Sequence, residues 1–213
     1  MKLEYVLPAD IERRSFEIIE SELDREILPE IKPVVMRVIH TTADFEYLDT
    51  LYFSPDVMDI AMQAIEKGAV FVTDTNMAKA GINKPALARQ GCTCECFMAD
   101  PDIAETAKQN GTTRATASVD KAAARGKPVI YAVGNAPTAL IRLTELIESG
   151  AFRPELVIGV PVGFVNVVQS KEMLIASGIP CIVARGRKGG SNVAAAICNA
   201  LLYLADKRAD SGR

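Results

Sequence analysis

The chain has no tryptophan, a single histidine, only 6% aromatic residues and no excess of positive charge, and each scarcity removes a class of function. One imidazole, His40, excludes any site that needs two, such as a two-histidine zinc or iron centre. Lysine and arginine number 24 against 27 aspartates and glutamates, a formal net charge of −3. Broad attraction to nucleic acid or to an anionic membrane is therefore not expected, and an anionic ligand must be held by local positive groups. Five cysteines, an odd number, argue against a secreted disulfide framework. The uncharged stretch Leu156 to Ser170 is too short to span a bilayer and is broken by Gly159, Pro161, Gly163 and Asn166. The opening MKLEYVLPADIERRSF carries acids and lacks the apolar segment of a secretory signal, so a cytoplasmic protein with no membrane partner is expected.

What is present is material for a core. With 49% hydrophobic and 24% charged residues, 213 residues suit one globular domain. The first 45 residues read as helices. Ile11, Phe16, Ile18/Ile19 and Leu23 follow helical spacing, with Asp10 placed as N-cap. In PEIKPVVMRVIHTTAD the β-branched residues favour a strand, but Ile31, Val34/Val35, Val38/Ile39 and Thr42 recur at helical intervals. The helical reading places Arg37, His40, Thr41 and Asp44 together on the opposite face.

From residue 50 short apolar runs alternate with helical patterns. Leu51–Phe53, Val70–Thr73, Thr93–Phe97, Val129–Val133, Leu156–Val160 and Cys181–Ala184 read as strands; 55–67, 100–109, 114–125, 136–149, 168–177 and 190–207 read as helices. Strands apolar on both faces and separated by helices predict an α/β, doubly wound fold with a parallel sheet covered on both sides. A single domain over 1–213 is expected, the helices of 1–45 packing on its α/β core and the tail DKRADSGR fraying.

In such folds ligands bind beyond the carboxyl ends of the strands. The segments there are Thr73-Asp-Thr-Asn-Met77, Gly134-Asn-Ala-Pro-Thr138, Gly159-Val-Pro-Val-Gly163 and Arg185-Gly-Arg-Lys-Gly-Gly-Ser191. Each by itself reads equally as an ordinary helix cap; together they read as a rim with N–H groups free for an anion. Arg185, Arg187 and Lys188 beside Gly189-Gly190-Ser191 form its strongest positive group, suited to a carboxylate or phosphate. The P-loop, the dinucleotide G-x-G-x-x-G and the hydrolase G-x-S-x-G fingerprints are all missing.

Two further features read two ways. Cys92-Thr-Cys-Glu-Cys96 on a strand would turn its thiols to one face, which suits packing better than a metal because C-x-x-C spacing is absent. His40 reads either as a structural residue or as a general acid. Asp44 one turn on would favour its imidazolium and Arg37 one turn back would oppose it, a balance that suits proton donation.

Ile11-Glu-Arg-Arg-Ser-Phe16, Arg37-Val-Ile-His40, Phe53-Ser-Pro55, Gly134-Asn-Ala-Pro-Thr-Ala-Leu140, Gly159-Val-Pro-Val-Gly-Phe164, Ser170-Lys171 and Gly186-Arg-Lys-Gly-Gly-Ser191 follow in this order over nearly the whole chain. In these segments the sequence resembles the precorrin-8X (cobalt-precorrin-8) methylmutases of corrin biosynthesis. The resemblance implies a three-layer α/β/α flavodoxin-like fold with a mainly parallel sheet, a homodimer, and an isomerase acting without a cofactor. Its substrate would be a tetrapyrrole polycarboxylate whose methyl group moves from C-11 to C-12 of ring C, giving hydrogenobyrinate or cobyrinate. It also implies that His40 is the catalytic histidine and that Ser15 and Arg114 contact the substrate, followed by Arg37, Asn135, Thr138 and the loop Arg187–Ser191. Asn166-Val-Val-Gln-Ser-Lys171 departs from the Gly/Ala-rich stretch and Glu-Ser-Lys expected there. Two alternatives remain at this point: a tetrapyrrole carrier without catalysis, and an unrelated flavodoxin-like enzyme using the anion rim for a phosphorylated ligand.

Overall fold

β2 (Val70–Thr73), β4 (Val129–Val133), β5 (Leu156–Gly159) and β6 (Cys181–Ala184) are buried at every position, which follows from their being apolar on both sides of the pleat. The computed structural model, which describes residues 3–125 and 127–211, joins them with β1 (Leu51–Phe53) and β3 (Thr93–Glu95) in a six-stranded sheet of order β1-β6-β5-β4-β2-β3. Alternate residues feed two cores. Phe71, Ile130, Ala132, Leu156, Ile158, Ile182 and Ala184 face one; Val70, Val72, Val129, Tyr131, Val133, Val157 and Val183 face the other.

On the first face lie α1 (Ile11–Glu22), α2 (Lys32–Thr42), α4 (Val57–Glu66), α5 (Asn76–Gly81), α6 (Lys84–Arg89) and α11 (Ser191–Ser211), with the short α3 (Tyr47–Thr50) beside β6. On the second lie α7 (Pro101–Gln109), α8 (Arg114–Ala123), α9 (Pro137–Glu148) and α10 (Val167–Ala176). The architecture is thus the expected three-layer α/β/α arrangement with a mainly parallel sheet, and the N-terminal helices join its first face.

Four expectations need correction. First, β1 is antiparallel to β6, pairing Leu51 with Ala184 and Phe53 with Ile182, a direction that apolar periodicity does not encode. Second, Asp10 occupies the N-cap position of α1 but makes no side-chain cap bond, because its carboxylate accepts from Arg13 at 3.1 Å. Third, α5 and α6 fall in a stretch left without elements. They are short helices opened by side-chain caps, Thr75 accepting from the Ala78 N–H and Asn83 from the Ala86 N–H. Fourth, residues 206–211 continue α11 rather than fray, anchored where Asp206 accepts from Arg89 and Gln90; residues 212 and 213 lie outside the described residues. No helix among the described residues is long and apolar enough to cross a membrane.

Candidate active site

The chain turns back on itself between β2 and β4. β3 lies on one side of β2 and β4 on the other, and the later strands continue outward from β4. A crevice at such a reversal is where open α/β sheets place ligands. Here Asp74, directly after β2 and 1% exposed, fills it. Its Oδ1 accepts from the Gly134 N–H at 2.9 Å, and its Oδ2 from Asn135 and Ala136 at 2.8 and 2.7 Å. The N–H groups expected to be free for a ligand at the start of α9 are therefore satisfied by the protein's own carboxylate. Burial drives the Asp74 carboxyl above the ordinary range, and these three donors pull it back.

The four loops form one continuous rim. The Ser191 hydroxyl meets the Thr75 hydroxyl at 2.7 Å; the Gly190 N–H donates to the Val160 carbonyl at 2.8 Å, and the Gly163 N–H to that of Arg187 at 3.1 Å. Gly134 is obligatory at the junction, since a Cβ there would lie 2.7 Å from the Ser191 Cα and 2.8 Å from its N. Met77, Val162, Phe164 and Val165 project from the rim as exposed apolar side chains.

The segment that follows α2, the helix of His40, reaches this rim through β1. Because β1 runs antiparallel, its first residue lies at the carboxyl end of β6, where the Arg185 N–H donates to the Thr50 carbonyl at 2.8 Å. The end of α2 follows, with Lys188 Nζ 2.6 Å from both Asp44 Oδ2 and Glu46 Oε2. The half-buried His40 ring packs on Phe16, centroids 5.1 Å apart, and its nitrogens have no hydrogen-bond partner among the described residues. Asp44 does not supply the expected partner, because its carboxylate is committed to Lys188 and to the Glu46 N–H at 3.0 Å.

The other expected site residues fall into separate groups. Ser15 lies on α1 one residue from Phe16, its hydroxyl donating to the Ile11 carbonyl at 2.8 Å. Arg37 pairs with Glu12 at 2.9 Å, with its guanidinium over the rings of Phe16 and Tyr203 at 5.2 and 4.7 Å; it ties α1, α2 and α11 together. Arg114 is exposed at the start of α8, beside a groove lined by Thr112, Thr113, Thr116 and Thr138, where the Thr113 and Thr138 hydroxyls meet at 3.0 Å. Asn135 is exposed next to the Asp74 clamp, and Arg187 is exposed over the Phe164 ring at 5.4 Å.

The positive group expected around 185–191 is largely neutralised. Lys188 bridges two carboxylates and Arg185 pairs with Glu172 at 3.3 Å, which leaves Arg187 as its cation without an ion pair among the described residues. The cysteine strand is a packing feature: Cys92 and Cys96 are buried and burial pushes the Cys92 thiol up to about 11. Among the described residues no group of His, Cys, Asp and Glu could hold a metal ion.

Comparison with known proteins gives this arrangement its context. The family model of precorrin-8X methylmutase matches residues 10–204. The chain belongs to the precorrin-8X methylmutase family. The cobalt-precorrin-8 methylmutase of Salmonella typhimurium is 47% identical over 206 residues, covering 92% of this chain and 95% of the relative. That of Priestia megaterium is 44% identical, covering 94% and 90%. A crystal structure of the Thermus thermophilus precorrin-8X methylmutase superposes with a TM-score of 0.87 at 41% identity, covering 96% of this chain and 98% of that one. A methylmutase is an isomerase, so the chemistry here is rearrangement within one molecule.

Two residues that shape the rim have no role in the sequence expectations. Asp74 was legible as an acid directly after an all-apolar strand, at the point where the chain reverses. Lys171, of the motif Ser170-Lys171, is fully buried and donates to the Gly186 and Lys188 carbonyls at 2.8 Å each. A lysine on the core-facing side of an apolar helix was the available signal.

Proposed function

We propose that the protein moves a methyl group from C-11 to C-12 of ring C in precorrin-8X or cobalt-precorrin-8, yielding hydrogenobyrinate or cobyrinate, with His40 as the acid. The observation that carries this reading is an imidazole whose nitrogens are uncommitted, packed on Phe16 and four residues before Asp44, which Lys188 joins to the rim. A methyl shift between adjacent carbons of a conjugated ring is eased when electron density is drawn out of the π system. In the metal-free substrate His40 does this by protonating, or donating to, the ring C nitrogen, and recovers its proton afterwards; such assistance is typically worth about 10²–10⁴-fold. In the cobalt substrate the metal already draws on the ring nitrogens, so less is asked of His40.

Ser15, Arg37, Arg114, Asn135, Thr138, Arg187 and Ser191 contact the substrate's periphery in this reading. Arg114 and Arg187, both exposed, suit its carboxylates, and Met77, Phe164 and Val165 suit the ring face. The phosphorylated-ligand reading loses the N–H groups at the start of α9, because Asp74 already takes them. The protein works as a single cytoplasmic domain in a homodimer; the exposed apolar side chains of Leu3, Tyr5, Leu7, Ile11 and Ile18 support such an interface.

The test is incubation with precorrin-8X and, separately, with its cobalt complex, followed by absorption. His40→Asn is expected to bind both compounds, to lose turnover by roughly 10²-fold or more on the metal-free compound, and to lose less on the cobalt complex. Unchanged turnover in that variant removes His40 from the mechanism. Binding without spectral change in the unaltered protein establishes the carrier instead.

A further inference from the structure

We propose that Lys188, supported from inside by Lys171, is a positioning residue that latches the end of α2, and with it His40, to the rim; this rests on the reading of His40 as the acid. The first observation is the latch itself. Lys188 Nζ lies 2.6 Å from Asp44 Oδ2 and 2.6 Å from Glu46 Oε2, while the remaining Asp44 oxygen accepts from the Glu46 N–H at 3.0 Å. An ammonium shared by two carboxylates presents little net charge to a substrate carboxylate, so Lys188 is poorly suited to anion capture and well suited to joining two parts of the chain.

The second observation is what the latch holds. Between His40 and Asp44 the chain passes through Ala43, whose φ of 53° is in the left-handed region, and whose N–H donates to the Ile39 carbonyl at 2.7 Å. A non-glycine residue stays there only when its surroundings hold it. Asp44, gripped by Lys188, is the residue immediately after that turn.

The third observation is that the loop bearing Lys188 is itself anchored. Lys171 is fully buried, and its ammonium donates to the carbonyls of Gly186 and Lys188, which flank Arg187. A buried ammonium is costly unless hydrogen-bonded, so these two bonds are what keep it there, and they fix the loop from the core side. The connection therefore runs from α10 through the loop backbone, out along the Lys188 side chain, to Asp44 and Glu46 just beyond the helix that carries His40.

Lys188 is partly exposed, so Lys188→Met is expected to fold with a melting temperature close to that of the unaltered protein, whereas Lys171→Met leaves two carbonyls unpaired. Steady-state kinetics on precorrin-8X separate the roles. The latch predicts that Lys188→Met lowers kcat by roughly 10- to 100-fold, the scale of a small misplacement of a catalytic group, with KM changed less than about twofold, and that Lys188→Arg restores most of the rate. A raised KM with kcat intact makes Lys188 a substrate contact and overturns the latch, as do unchanged kinetics. His40→Asn run alongside separates the two readings. If it is inactive while Lys188→Met is unaffected, the latch alone falls. If it turns over normally, the acid assignment falls and the latch goes with it.

Discussion

Ala43 closes α2 in a conformation that glycine adopts without penalty and alanine does not. The left-handed region costs an alanine about 1–2 kcal/mol, and replacing it with glycine returns about 0.5–1 kcal/mol to the unfolded chain as entropy. Ala43→Gly is therefore expected to raise stability by up to about 1 kcal/mol, seen as a higher denaturant midpoint; a clear loss would show that the turn is not strained. His40, three residues earlier, was the one histidine of the sequence and easy to single out. Its neighbours were not legible from spacing alone. Asp44 stands one turn away on paper, but its carboxylate is drawn off by Lys188, a residue 144 positions distant.

At the scale of elements, the Asp74 clamp holds the start of α9 against the loop after β2. Asp74→Asn leaves one oxygen for three N–H donors and sets an amide N–H₂ against at least one of them. A loss of about 1–3 kcal/mol is expected, the scale of a buried group left unsatisfied, read as a lower urea midpoint. A change within error would show that the loop holds its shape without the carboxylate. Strands and most helices were legible because a segment buried on both faces must be apolar throughout, and one buried on one face must repeat near 3.6 residues. α5 and α6 were not, because six-residue helices carry too few turns for a period to show. Strand direction leaves no mark on periodicity, and the antiparallel β1 was unreadable for that reason.

For the whole molecule, charge pairing sets the response to acid. Lys188 holds Asp44 below its usual range, Lys121 does so for Asp102, and Arg89 for Asp206. A carboxyl whose folded pKa is depressed stabilises the protein above its unfolded value and loses that contribution as pH falls through the folded one. Asp74, raised by burial, works in the opposite direction. With three carboxyls against one, stability is expected to decline as pH is lowered from about 5 to about 3, measured by urea unfolding across that range. A flat profile would mean either that these pairs contribute nothing or that Asp74 offsets them. The acid loss is also expected to reach the Lys188 latch.

Composition and periodicity were enough to establish an α/β fold with apolar strands and amphipathic helices, because burial on one or both faces dictates residue type locally. Ordered motifs along the chain were enough for the family, since each loop's residues stay in sequence whatever the packing. The arrangement of the rim is another matter. That β1 runs against β6, that α2 consequently ends beside the loop after β6, that Asp74 occupies the chain reversal and that two lysines tie that loop to the core and to α2 all depend on contacts between residues far apart in the chain. Such contacts are chosen by the packing of the complete sheet and its covering helices, and no local pattern records them.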